Sequence, residues 1–124
     1  MIAAAVTLFA VAVVVVGTTV FAAGGVIKLN HAVGIRVHYY LASQEAWEAG
    51  HAAALLPVTI GGLIAVAGGI VGLLRPDSVG IVIVAFLLLF ALMAWGILRG
   101  DRAALDAFAE ASEASDASGA SGTE

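Results

Sequence analysis

Residues 52–74 read AAALLPVTIGGLIAVAGGIVGLL, and no charged residue interrupts them. A helix needs about 20 apolar residues to cross the hydrocarbon of a bilayer, and this run supplies them. Pro57 lies near its start, where it is expected to kink the helix. Gly61, Ala65 and Gly69 recur every four residues, as do Gly68 and Gly72. Rows of small residues let helix backbones approach closely in lipid, where van der Waals packing drives association. The pattern therefore predicts a helix-packing face. It leaves open whether that face meets the chain's own helices or a second copy.

Two further runs flank this one. Ile2 to Ala23 carries no charge, and only three threonines and one glycine interrupt its apolar residues. A secretory signal peptide would carry a basic n-region and an apolar core of about 7–15 residues. Here no Lys or Arg precedes Lys28, and the run is longer than such a core, so a membrane span is the better reading. The third run, Val79 to Leu98, ends with Trp95 and is closed by Arg99, an aromatic anchor and a flanking cation suited to the interface. Arg75-Pro76-Asp77-Ser78 joins the second and third runs as a tight polar turn.

The composition agrees with this division. Of the 124 residues, 62% are hydrophobic and 11% charged, against about half and a quarter in a soluble domain. The fold class expected is all-α, an integral membrane domain over residues 1–100 with spans at about 2–23, 52–74 and 79–98. Residues 101–124 should form a short helix to about Ala111, with Leu105 and Phe108 on one side. The Ser-, Gly- and acid-rich remainder should be a disordered tail, because it cannot bury enough apolar surface to offset its ordering entropy. Lys28 and Arg36 precede the second span and Arg99 and Arg102 follow the third, whereas Arg75 alone marks the opposite side. The positive-inside rule then places the first loop and the C-terminus in the cytoplasm and the N-terminus outside.

The loop over residues 24–51 is far longer than a connection between two helices requires. It holds Lys28, Asn30, three histidines, Arg36, two tyrosines, two glutamates and Trp47. Residues 26–41 read as irregular or extended. Ser43 is a good N-cap, and Glu45 follows in the first turn, where a carboxylate meets the helix dipole. A helix from Gln44 would bring Gln44, Trp47, Glu48 and His51 to one face. It is expected to lie along the interface as a short helix of its own and to turn into the second span near Pro57.

The pattern Asn30-x-x-x-Gly34-Ile35-Arg36, followed by Leu41-x-Ser43-x-x-x-Trp47-x-x-x-His51, resembles the signature of the SdpI-type immunity proteins of bacterial membranes. The resemblance covers roughly residues 24–74. It implies protection of a producer cell from a secreted killing peptide, and a relay role in which a cytoplasmic repressor is held at the membrane. This chain would be a short, three-span form. The partner-binding candidates are Asn30, Gly34, Arg36, Trp47 and His51.

Each candidate also has a structural reading. Arg36 suits a bidentate clamp on a carboxylate or phosphate, or an internal pairing with Glu45 or Glu48. Gly34 suits a special backbone angle. Asn30 suits a loop turn, and Trp47 an interfacial anchor. His31, His38 and His51 raise the question of a metal, and Glu48 with His51 makes a Glu-x-x-His pair. The histidines lie far apart in sequence and no second pair occurs, so no metal and no cofactor is expected. There is no cysteine, no Gly-rich phosphate loop, no His-Glu-x-x-His motif and no nucleophile elbow, so no enzyme is expected. No basic cluster points to nucleic acid. The spans hold no ionisable residue, which argues against a pump or transporter. Two readings stand: an immunity or sensor protein whose loop meets a membrane-active peptide or a cytoplasmic regulator, and a non-catalytic accessory subunit packed beside a larger membrane complex.

Overall fold

The computed structural model describes residues 1–30, 32–35 and 39–122. Among them the chain forms three helices, α1 (Ile2–Ala23), α2 (Gln44–Leu74) and α3 (Val79–Ser121). All three are long and apolar enough to cross a membrane. The fold is all-α, and its helices pack in a simple pattern. The central helix, α2, packs against both others, while α1 and α3 barely touch each other.

The glycine rows of α2 explain this arrangement. At 100° per residue, Gly61, Gly68 and Gly72 fall within about 40° of one another, and Gly62 and Gly69 lie roughly 80–100° further round. A Cβ on the first group would meet α3: Leu92 and Leu89 at Gly61, Ala85 at Gly68, Val82 at Gly72. A Cβ on the second group would meet α1: Val16 at Gly62, Phe9 at Gly69. Ala65 falls between the two stripes and joins the buried cluster of Leu8, Ala12, Val82, Ala85 and Leu89. The Gly61–Ala65–Gly69 row is thus not one interface. It drifts from α3 to α1, and both rows are used within the chain.

The helix ends follow their local chemistry. α1 stops in a Schellman motif, with Val26 N–H donating to the Phe21 carbonyl (2.9 Å), Gly25 N–H to Ala22 (3.2 Å), and Gly25 at φ +73°. α2 begins at Ser43, whose hydroxyl accepts from Ala46 N–H at 3.0 Å. The turn after Leu74 is closed by Ser78, whose hydroxyl donates to the Arg75 carbonyl at 2.5 Å.

Two expectations differ from what is observed. The short interfacial helix is not a separate element: α2 runs unbroken from Gln44 through Pro57 to Leu74. Pro57 is fully buried, and a Cβ at Gly96 would lie 3.2 Å from its ring. The bare Gly96 backbone of α3 accepts the ring, and packing carries the helix across a residue that removes one of its hydrogen bonds. The tail expected to be disordered beyond about Ala111 is instead the end of α3, helical to Ser121. From Phe108 onward its side chains are exposed, so no packed face holds this part of the helix. Thr123 and Glu124 lie outside the described residues.

Candidate functional site

The first half of α2 and the loop before it form a hydrogen-bonded cap on the helices. The Schellman stop of α1 turns the chain so that the Ile27 carbonyl faces α2, where it accepts from Trp47 Nε1 at 2.9 Å. Leu29 N–H donates to the Gln44 side-chain carbonyl at 2.9 Å, and the Gln44 amide donates to Glu48 Oε1 at 2.8 Å. That carboxylate lies under Gly25, where a Cβ would come within 2.7 Å of it. Gly25 is therefore required twice, for its positive φ and for its bare surface.

Asn30 shapes the next turn. Its Oδ1 accepts from Ala32 N–H (2.8 Å) and Val33 N–H (2.7 Å), and its amide donates to the Lys28 carbonyl (2.7 Å). This is the turn-forming role that a short amide side chain fills well. It delivers Gly34, at φ +100°, directly onto Trp47 and His51. A Cβ there would be 2.7 Å from Trp47 Cη2 and 3.1 Å from His51 Nε2.

His51 joins the loop to the helix. Its Nε2 accepts from Ile35 N–H at 3.0 Å, and its Nδ1 lies 2.7 Å from the Trp47 carbonyl. A nitrogen that accepts carries no proton, so the proton is on Nδ1, which donates to Trp47, and the ring is neutral. Trp47 and His51 are stacked at a tilt, with centroids 4.4 Å apart. Tyr40 meets His51 edge-on at 5.2 Å. All three rings are fully buried.

Tyr40 extends the cap to α3. Its hydroxyl donates to the Ile97 carbonyl at 3.2 Å, and its ring lies between the bare backbones of Gly50 on α2 and Gly100 on α3. Burial, and then the Asp101 carboxylate, push the phenol above its ordinary value, so the hydroxyl keeps the proton that it donates. Tyr39 N–H donates to Asp101 Oδ1 at 3.3 Å. Asp101 follows the third apolar run, so these bonds put the loop and the far half of α3 on one side of the helices.

The structure thus brings Gly34, Trp47 and His51 into contact and gives Asn30 the turn that delivers Gly34. Arg36, with His31 and His38, lies outside the described residues. Tyr40, Gly50 and Gly100 belong to the same unit but do not stand out in the sequence. Two glycines fifty residues apart that flank one tyrosine leave no local pattern.

A groove lies beside the cap. It has a volume of about 570 Å³ and is lined by Val14, Val15, Thr18 and Thr19 of α1, by Met93 and Ile97 of α3, and by loop residues 32–35. It exists because α1 and α3 do not pack closely together.

With this geometry in view, the chain matches the sequence model of the SdpI/YfhL protein family over residues 26–98. The matched span takes in the cap, α2 and the membrane part of α3. No curated protein and no solved structure matches the chain significantly.

Proposed function

The chain belongs to the SdpI/YfhL protein family, and from that premise we propose that it guards its cell against, or senses, a membrane-active peptide through the loop between α1 and α2. The observation that carries this reading is the construction of the cap. A loop serving only as a connection needs no Asn30 turn, no positive-φ Gly34 against an indole, and no histidine held at both nitrogens. Such a concentration of ordered polar groups at the end of a membrane helix suits a surface presented for recognition. In this reading Asn30, Gly34, Trp47 and His51 hold the shape of the surface, and Arg36 is the contact residue. The loop and C-terminus face the cytoplasm, following the basic residues Lys28, Arg36, Arg99 and Arg102 against Arg75.

The accessory-subunit reading needs a free small-residue face. The rows it would use are occupied by α1 and α3, so it loses its main support.

The test is survival. Cells expressing the chain are challenged with the killing peptide of a producer strain, and Arg36→Ala is compared with the parent at equal protein level. Protection should fall at least tenfold in the variant. Unchanged survival would overturn the role of Arg36, and no protection by the parent chain would overturn the immunity reading. The side of the loop is read separately, from labelling of Val33→Cys and Ser78→Cys chains in intact cells by an impermeant maleimide. Protection at 33 with labelling at 78 is the expected result.

A further inference from the structure

We propose that the groove between α1 and α3 holds the hydrocarbon chain of a membrane lipid, end-on beneath the motif loop. Its walls are largely apolar: Val14 and Val15 on one side, Met93 and Ile97 on the other. Thr18 and Thr19 are the polar exceptions, and the Thr19 hydroxyl is already bonded to the Val15 carbonyl at 2.7 Å. The volume, about 570 Å³, lies within the range of about 300–1,000 Å³ typical of small-molecule sites. An apolar space of this size in contact with a bilayer is not left empty, because its lining would forfeit its dispersion contacts. Water gains too few polar partners there to fill it.

The shape decides the occupant. Both walls belong to the loop-proximal parts of two parallel helices, and residues 32–35 roof the space. From Val14 to Thr19 the wall rises only about 8 Å, whereas a helix crossing the bilayer needs about 30 Å of uninterrupted path. A second copy or a partner helix would meet the roof. A flexible chain entering from the loop-side leaflet ends under it. Met93, unbranched and adaptable, suits a wall against a mobile ligand. The roof includes Gly34 and Ile35, which are held by Trp47 and His51. A chain in the groove therefore lies directly behind the cap.

Trp47 reports on this directly. It is fully buried, whereas Trp95, the chain's other tryptophan, is 55% exposed. Full-length protein carrying Trp95→Phe is reconstituted in vesicles of phosphatidylcholine, either plain or brominated in mid-chain. Bromine should quench Trp47 in this parent background. Thr18→Phe, which fills the groove, should reduce that quenching at least twofold, and Ile97→Phe from the opposite wall should do the same. Leu87→Phe, on an exposed face of α3, should leave it unchanged. Trp47 emission in plain vesicles shows that each variant keeps its cap. No quenching in the parent, or equal quenching in the filled and control variants, overturns the proposal. So does disulfide pairing of an Ile97→Cys chain with a second copy, which would make the groove an interface between chains.

Discussion

The two halves of α2 are built on opposite principles. From Gln44 to His51 the helix is specified by what its side chains offer: an indole N–H, an amide, a carboxylate and an imidazole, each held in a named hydrogen bond. From Gly61 to Gly72 it is specified by what the side chains omit, because bare backbone is what lets α1 and α3 approach. In lipid the hydrophobic effect does not separate a right helix neighbour from a wrong one, so steric fit has to. At the water-facing end unpaired polar groups would be costly, so hydrogen bonds specify the loop instead. One continuous helix thus carries a steric code and a hydrogen-bonding code, and Pro57, fitted against Gly96, is passed over between them.

The largest effect should come from the packing half. Gly68→Leu drives a side chain into Ala85, where no flexible atom can yield, at a cost of about 3 kcal/mol or more. The expected outcome is loss of the folded chain in a detergent melting assay, with Gly61→Leu milder because its new Cβ would meet Leu92 and Leu89 at 3.3–3.4 Å, a looser fit than at Gly68.

The cap should break next. Gly34→Ala combines a positive φ with a contact 2.7 Å from the Trp47 ring, and roughly 2–3 kcal/mol is expected. Trp47 fluorescence should shift to the red as the loop lifts, while the helix content by circular dichroism stays. An equal loss of helix would mean that the two halves are not separable. His51→Phe keeps the ring but strands Ile35 N–H, at about 1–3 kcal/mol. Its signature is faster amide exchange at Ile35 with the glycine packing untouched.

Smaller effects sharpen the contrast. Asn30→Ala removes three bonds at an exposed turn, where water replaces much of the loss, and about 1 kcal/mol is expected. Gly17→Ala, in α1 with no atom within 4 Å of its new Cβ, should be neutral or stabilising by up to about 1 kcal/mol. A large penalty at Gly17 would show that a surface free within the chain is covered by something else in the membrane.

The spans were legible in the sequence because hydropathy in lipid is nearly a one-variable problem: Ile2–Ala23 is both the uncharged run and the helix. Ser43 was legible as an N-cap for a local reason, its hydroxyl three residues before an N–H. The Gly-xxx-Ala-xxx-Gly row was visible, but not its division between two neighbours, which depends on where α1 and α3 lie. The structural roles open to Asn30 and Gly34 were visible, since turn amides and positive-φ glycines act through their own backbone. The Tyr40 slot between Gly50 and Gly100 was not, because it joins three distant positions. The short helix expected before Pro57 proved continuous with the span, for a tertiary reason, the bare Gly96 facing the proline ring. The tail differs from the disordered segment expected of it, since it continues α3 to Ser121 with its side chains exposed.

The near-absence of contact between α1 and α3 also has a bearing on the order of assembly. Each span packs mainly on its sequence neighbour, so as synthesis proceeds α2 can dock on α1 and α3 on α2, and neither step waits for a distant partner. The cap is the exception. Tyr40 reaches Ile97, 57 residues further along the chain, so the loop made early is finished last, and its ordering reports that the third helix has arrived.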